Sequence, residues 1–409
     1  MNKDHELLKK LGTELAEIAR LPRQNETRQL WISNNDLKPV RPMVYIDQLP
    51  WHEINTSDEM KLLCKDEFLR AVEYTIRQLL YRWKHFPCDM VVENRIDIPH
   101  AVHNVDYGMH IKEEIRQTDT ANDIVSHKYK DQVSCVEDLD SLKYDDIWVD
   151  EKLDGEHMER CREIFDGIIP VRFSGVEFHA GVWDRITMMR SVGAILEDVI
   201  DQPEFIAEVV KKFVDISIST LDQCERLGLL DPQMQYVHCT GAYTNDLPPM
   251  EEGQTVPASK NIWAFGMAQV FATMSPAMHE EYEIDLVRPL YDRFGLLYYG
   301  CCEPLHNKIN IVRKLGNVRK ISISPWADVQ KGAENIHGDY VLSLKPNPAY
   351  LAIEFAEENM AKTVRNAIAA CRANNTPLEV IQKDVSTIGY HLDYLDRWEK
   401  LVMGIVRDV

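Results

Sequence analysis

The densest group of potentially reactive side chains lies in the segment YYGCCEPLH, residues 298–306. It holds two thiols, Cys301 and Cys302, followed by the carboxylate of Glu303 and the imidazole of His306. Thiolate, imidazole and carboxylate are the ligands that zinc prefers in proteins. Because adjacent residues of a strand point to opposite sides, we expect only one of the two cysteines to bind a given metal ion, and we assign that role to Cys302. A packing role suits Cys301 and His306 equally well.

A second candidate ligand precedes this segment. The run QYVHC, residues 235–239, predicts a strand that ends in His238 and Cys239. Neighbouring strands lie about 5 Å apart, so a side chain from this pair can reach the same metal ion as Cys302. For His238, the role of an ordinary packed histidine is about as compatible with the sequence.

Polar side chains also follow the other predicted strands, and the last strand ends in Lys383 and Asp384. In parallel α/β folds, ligands bind at the carboxyl ends of the strands. We therefore expect Lys345 to take part in catalysis together with Glu303 and Asp384. The expected substrate-binding residues are Asp47, Glu93, Asn94, Trp326 and Asn347.

Eight short apolar runs predict the strands that position these groups, and helical segments separate most of them. Continuous apolar strands alternating with helices are typical of a parallel sheet covered on both faces, and eight such units predict a (β/α)8 barrel. An open doubly wound sheet is the alternative, but no glycine-rich dinucleotide turn follows any strand. The predicted strands are residues 43–47, 90–95, 170–178, 235–239, 296–301, 319–323, 340–344 and 378–382.

We expect a single domain over residues 1–409. Its first part, residues 1–40, reads as a helical extension, because apolar residues recur there at helical spacing. Residues 96–169 are polar with weak periodicity, and we interpret them as a long insertion that is able to act as a lid over the site.

Composition excludes some classes of protein. The chain has 46 Lys and Arg against 66 Asp and Glu, a net charge of −20, whereas binding of nucleic acid needs clustered cations. No run approaches 18 apolar residues, so no membrane span is expected. The start, MNKDHELLKKLGTEL, lacks the apolar core of a signal peptide, which favours a cytoplasmic protein whose nine cysteines are not disulfide-bonded.

From about residue 170 onward the chain resembles the uroporphyrinogen decarboxylase superfamily. The stretch MAQVFATMSPAMHEEYEIDLVRPLYDRFG, residues 267–295, is similar to a turn, Ser-Pro and helix segment of that family. YYGCCEPLHNKI then stands where the family has a His-x-Cys-Gly or Ser-Cys-Gly strand. RKISISPWADV, YVLSLKPNP and EVIQKDVST follow in order on the next three strands. The N-terminal third matches only loosely.

The resemblance implies a barrel and one of two activities. One branch decarboxylates porphyrinogens without a cofactor and has an arginine-rich N-terminal motif. This chain lacks that motif, because the most similar segment holds only Arg28 and Arg41. The other branch transfers methyl groups to or from corrinoid proteins and thiols, with zinc held by a His-x-Cys pair and a later Cys. The first family cysteine falls on Cys302, but the histidine falls on Gly300 and the last cysteine near Asp384.

The methyltransferase branch is the better match, with a shifted set of zinc ligands: Cys302 with His238 or Glu303, completed by Asp384. The function so implied is zinc-dependent transfer of a methyl group from a small methyl ether or amine to a corrinoid on a partner protein. A homodimer is usual for the superfamily. Two alternatives stay open: a metal-free decarboxylase or lyase on the same barrel, and a non-catalytic protein that binds tetrapyrroles or corrinoids.

Overall fold

The computed structural model describes residues 3–105, 111–117, 120, 122, 124–142 and 146–409. Its centre is a six-stranded sheet in which every neighbouring pair is parallel. Almost every residue of these strands is buried, as expected for a parallel sheet with both faces covered. In spatial order the strands are Met43–Ile46, Leu378–Gln382, Val341–Leu344, Val318–Ile323, Leu296–Tyr299 and Trp263–Gly266.

Alternate residues of these strands pack into two separate hydrophobic cores. Tyr45, Tyr298 and Ile381 belong to one core, whereas Val44 and Val380 belong to the other. This division follows from the period of two along a strand, which sends successive side chains to opposite faces of the sheet. The second, larger core also contains the apolar sides of the helices that follow the strands.

Smaller pairs of strands complete the sheet structure. Ile96–Pro99 pairs in parallel with Val171–Ser174, and the other pairs are antiparallel. These are Val102–His103 with Trp148–Val149, Glu113–Arg116 with Ser126–Tyr129, and Tyr236–Val237 with Thr240–Gly241.

Helices connect and cover the strands. The longer α-helices are Lys3–Ala19, Pro22–Asn35, Glu67–His85, Glu151–Phe165, Val182–Met189, Val192–Asp201, Pro203–Arg226, Val329–Ile336, Glu357–Ala373 and Asp393–Arg407. Shorter ones are Trp51–Ile54, Pro276–His279, Leu286–Tyr291, Ile309–Val312 and Ala349–Ala352. The 3-10 turns are Asp58–Met60, Val136–Ser141, Ser259–Asn261 and Gln269–Thr273, and Glu280–Asp285 is a π-helix.

The predicted fold is confirmed at the level of an α/β protein with a central parallel sheet. Hydrogen bonds between the described strands do not join them into a closed eight-stranded barrel. The expected strand over residues 90–95 is wrong: the N–H of Val92 donates to the side chain of Gln24, so this backbone bonds to a helix instead of a neighbouring strand. Conversely, Trp263–Gly266 is a strand that the apolar runs did not indicate.

Residues 3–40 contain the helices Lys3–Ala19 and Pro22–Asn35. Residues 96–169 contain the short strands, a 3-10 turn and the helix Glu151–Phe165, and residues 106–110, 118, 119, 121, 123 and 143–145 of this segment lie outside the described part. Within the residues that the structure describes, no helix combines the length and the apolar character needed to cross a membrane.

Candidate functional site at the carboxyl end of the sheet

Five side chains from three places in the chain meet where the strands of the sheet end. Cys301 and Cys302 follow the Leu296–Tyr299 strand, and Lys383 and Asp384 follow the Leu378–Gln382 strand. The fifth, His238, lies in the tight turn between Tyr236–Val237 and Thr240–Gly241. We call this group, His238, Cys301, Cys302, Lys383 and Asp384, the strand-end cluster.

The backbone is strained at several points of the cluster. His238 and Asp384 both have φ of 55°, in the left-handed region that non-glycine residues seldom adopt. Such conformations persist only where the surroundings enforce them, and they are concentrated at functional sites. Gly300 has φ of 94°, and a Cβ there would lie 2.3 Å from Cδ1 of Leu305. The conformation at this position therefore requires glycine.

The ammonium group of Lys383 lies at the centre of the cluster. Its Nζ is 2.9 Å from Sγ of Cys301, 3.3 Å from Nε2 of His238 and 3.2 Å from Oδ2 of Asp384. The Lys383 side chain is only 3% exposed, so these groups, rather than water, provide its environment. Burial lowers the pKa of Lys383, but the charges of Cys301, Cys239 and Asp384 outweigh it and raise the pKa above its ordinary value.

The two thiols form a coupled pair. Sγ of Cys301 and Sγ of Cys302 are 3.6 Å apart, and Sγ of Cys302 is 3.8 Å from Oδ2 of Asp384. The hydrogen bond from Cys301 lowers the pKa of Cys302, and Lys383 acts in the same direction against the effect of burial. The same hydrogen bond, together with burial, raises the pKa of Cys301. The pair thus loses its first proton readily and holds the second one.

The imidazole of His238 closes the cluster on one side. Its ring stacks on Phe265, with ring centroids 3.8 Å apart and planes 2° from parallel. Burial, followed by the charges of Lys383 and Lys345, lowers the pKa of His238 to about 2. The ring is therefore neutral. Its Nε2 faces Lys383 and lies 4.0 Å from Sγ of Cys301. In the tautomer in which Nε2 accepts a hydrogen bond from the ammonium group, this nitrogen carries no proton.

Glu303, expected to act in catalysis or as a metal ligand, holds the backbone instead. Its side chain is fully buried, and its two carboxylate oxygens accept the N–H groups of Ala268, at 3.1 Å, and of Cys301, at 2.9 Å. These contacts tie the Cys301 turn to the end of the neighbouring Trp263–Gly266 strand. Glu303 therefore positions Cys301 rather than presenting a carboxylate to a ligand.

Lys345 and Asp47 lie near the cluster. Lys345 is buried, with Nζ 2.5 Å from Oγ of Ser343 and above the ring of Tyr298, and burial lowers its pKa despite the opposing charge of Cys239. Burial likewise raises the pKa of Asp47, although Arg82, 3.6 Å away, opposes this shift. Burial thus shifts the pKa of each group in the direction that favours its neutral form.

The other expected substrate-binding residues have different surroundings. Glu93 accepts from Arg28, at 3.0 Å, and from the hydroxyl of Tyr243, so it links an N-terminal helix to the body of the protein. Asn94 is exposed, and Trp326 is 72% exposed. Asn347 accepts the N–H of Ala349 and shapes the turn that follows its strand. None of the four has a side-chain contact with the strand-end cluster among the interactions described for it.

Two further groups were not indicated by the sequence patterns. His179 and Asp184 follow the Val171–Ser174 strand, with Nε2 of His179 4.0 Å from Oδ2 of Asp184. Burial, followed by the charge of Glu303, raises the pKa of Asp184 to about 7, and burial and Arg185 lower the pKa of His179 to about 4. Their only sequence signal was a place shortly after a predicted strand, which many polar residues share.

The strand-end cluster does not fit the zinc ion that the family resemblance implies. Lys383 already brings a positive charge to the point between the thiol, imidazole and carboxylate groups. The family's histidine position is Gly300, whose conformation excludes a side chain. Among the residues that the structure describes, no three His, Cys, Asp or Glu side chains are arranged to hold a metal ion.

The architecture defines an α/β protein with a candidate site at the carboxyl ends of parallel strands, as in other folds of this class. The fold is similar to that of a methyltransferase from Methanosarcina mazei, with a TM-score of 0.54 over 93% of this chain and 98% of that one. The two sequences are 12% identical, so the likeness is one of fold. No protein-family model and no curated protein matches the sequence.

Proposed function

We propose that this chain is a methyltransferase that takes a methyl group from a small methyl ether or amine and passes it to a corrinoid on a partner protein. The observation that carries the proposal is the strand-end cluster, a coupled thiol pair and an ammonium group, on a fold shared over 93% of the chain with a methyltransferase. The resemblance of residues 170–409 to the methyl-transferring branch of one superfamily points in the same direction.

We further propose that the sheet closes into a barrel. At one edge, a single parallel bridge joins Phe265 to His179, beyond the Val171–Ser174 strand. At the other edge, the N–H of Asp89 donates to the carbonyl of Val44. These contacts supply hydrogen bonds at both open edges, and the core that contains Tyr298 and Ile381 would then be the barrel interior.

The chain's own residues supply what methyl transfer requires at the leaving group. When the carbon–heteroatom bond breaks, the electron pair remains on the heteroatom, which then takes up a proton. Asp184 is a suitable donor because its pKa of about 7 keeps a proton available near neutrality. A corrinoid supplies the strong nucleophile that accepts the methyl group. The partly exposed Cys302 and Asp384 face the substrate side of the cluster, and buried Glu303 fixes the Cys301 turn.

A decarboxylase is the second candidate, and the two lysines favour it. Lys383 and Lys345 stand at adjacent strand ends, where two cations suit a substrate that carries carboxylates. The same reaction needs no metal ion. The proposed barrel is also compatible with it, since one fold supports many chemistries.

Product analysis separates the two. The protein is incubated without oxygen with a panel of methyl ethers and methylamines and with added cob(I)alamin, whose absorption reports methylation. We expect one class of compound to be demethylated in step with the change in cobalamin, and Cys302→Ser to lose this activity. Release of carbon dioxide from a carboxylated tetrapyrrole, with no demethylation of any compound, would contradict methyl transfer and establish the second candidate.

A further inference from the structure

We propose that Lys383 stands in for a metal ion: its ammonium group fills a latent metal site, and its removal leaves a site that binds zinc or cobalt(II). This inference goes beyond the proposed reaction and holds whichever substrate the protein uses. It rests on the convergence of three kinds of metal-binding atom on one nitrogen, from Cys301, His238 and Asp384.

The distances are those of an ammonium group surrounded by hydrogen-bond partners. The three atoms lie 2.9–3.3 Å from Nζ of Lys383. In zinc sites the corresponding distances are about 2.0–2.3 Å. The side chains would therefore need to move inward by about 1 Å once the ammonium group is gone. Sγ of Cys302, 3.6 Å from Cys301 and 3.8 Å from Asp384, is placed to become a fourth ligand.

The donor atoms face the point that a metal ion would occupy. Nε2 of His238 lies 3.3 Å from Nζ of Lys383 and 4.0 Å from Sγ of Cys301, so it is the imidazole nitrogen that would bind a metal ion. Asp384 is 47% exposed, which leaves a route for an ion from solvent, and Cys302 is partly exposed as well. Zinc accepts this mixture of sulfur, nitrogen and oxygen ligands.

The lysine cannot simply withdraw to admit a metal ion. Its side chain is 3% exposed, and an ammonium group moved to an apolar position without partners would be strongly destabilised. A divalent ion next to a retained ammonium group would be opposed by their like charges. Lys383 and a metal ion therefore exclude each other at this position, and the ammonium group of Lys383 supplies the positive charge there.

The test is a cobalt(II) titration under anaerobic conditions of the wild type, Lys383→Leu, Lys383→Arg and the double variant Lys383→Leu with Cys302→Ser. Leucine removes the charge and is shorter, which leaves room for the ion, and arginine keeps the charge. Bound metal is measured after gel filtration, and thiolate coordination by near-ultraviolet charge-transfer absorption. We expect less than about a tenth of an equivalent on the wild type and Lys383→Arg, and about one equivalent with the thiolate band on Lys383→Leu.

A weaker band in the double variant would show that Cys302 binds the ion beside Cys301. Stoichiometric binding by the wild type with the thiolate band would overturn the proposal, and so would a folded Lys383→Leu protein that binds no metal. If Lys383→Leu fails to fold, as judged by circular dichroism, Lys383→Met takes its place in the same titration with the same expected result. The titration measures bound metal and not activity. A negative result therefore does not affect the methyltransferase proposal, and failure of the methyltransferase proposal does not affect this one.

Discussion

Two lysines of the same sheet, Lys320 within the Val318–Ile323 strand and Lys383 just after the Leu378–Gln382 strand, have buried ammonium groups, but their partners differ. Nζ of Lys320 is 2.7 Å from the carboxylate of Glu379 and also donates to Oγ1 of Thr240 and the carbonyl of Gly241. Lys320 and Glu379 are both fully buried, and Glu379 also accepts from Ser343 and Thr240. Each polar group of this interior pair is matched by a partner within the protein.

Lys383 also has three partners, but they are of a different kind. Its neighbours are a thiol, a neutral imidazole and a carboxylate that is half exposed to solvent. Breaking a fully matched buried ion pair is costly, whereas an ammonium group whose partners include a thiol and a half-exposed carboxylate can respond to a ligand. The difference teaches that burial of a lysine does not by itself mark a site; the chemistry of its partners does.

Removal of one member of the interior pair should have the largest effect. Lys320→Met leaves the Glu379 carboxylate buried without its cation, and we expect the free energy of unfolding to fall by about 3–5 kcal/mol. Urea denaturation measures this loss. Lys331→Met, at an exposed helix position, is the matched control and should change stability by less than about 0.5 kcal/mol.

The double variant Lys320→Met with Glu379→Gln tests the cause of that loss. Because no charge then remains buried, most of the lost stability should return. A Lys320→Met protein less than about 1 kcal/mol weaker than the wild type would show that the interior pair is not a matched structural unit.

Replacement of the reactive thiol should greatly lower activity but hardly change stability. Cys302→Ser removes the sulfur but keeps nearly the same volume, so we expect methyl transfer to fall by about 1,000-fold, as when one preorganised polar group is lost from an active site. Stability should change by less than about 1 kcal/mol, since Cys302 is partly exposed. Cys135→Ser, at an exposed position far along the chain from the cluster residues, is the control and should be fully active. An equally active Cys302→Ser protein would remove the cluster from the reaction.

The proton donor should show a smaller effect with a characteristic dependence on pH. The pKa of Asp184 is raised to about 7, and the protonated form is the donor, so activity should decline as the pH rises through about 7. Asp184→Asn cannot give up a proton, and we expect a loss of about 100-fold together with disappearance of this alkaline limb. Asp215→Asn, on an exposed helix face, should retain the wild-type profile. An unchanged alkaline limb in Asp184→Asn would assign the proton to another group.

How far the sequence predicted these regions depends on local signals. The apolar runs from Leu296 onward predicted four strands of the sheet, because a buried parallel strand is continuously apolar. Trp263–Gly266 was not predicted, although it lies within the run IWAFGMA, residues 262–268, because a short apolar run does not by itself distinguish a strand from a buried helix or loop. The failure at residues 90–95 has a different cause, because a tertiary hydrogen bond to Gln24 decides the conformation of that backbone.

The sequence patterns gave positions for the site residues but not their contacts. The structure brings His238, Cys302 and Asp384 into one cluster, although His238 lies in a tight turn and not at the end of a strand of the sheet. The central role of Lys383 could not be predicted, because the direction of its side chain depends on the twist and register of two strands far apart in sequence. Glu303 faces inward for a related reason: two backbone N–H groups needed an acceptor at that turn.

Substitution of Trp326 should have the smallest effect on activity, and it tests how far the site extends. It was expected to bind substrate, but it is 72% exposed in the turn that follows Val318–Ile323. Trp326→Ala should therefore change kcat/KM for a small methyl donor by no more than about twofold, as expected of surface substitutions. Steady-state kinetics with added cob(I)alamin as acceptor provide the measurement. A tenfold rise in KM would show that this turn closes over the substrate, and the site would then extend from the strand-end cluster to the rim of the sheet.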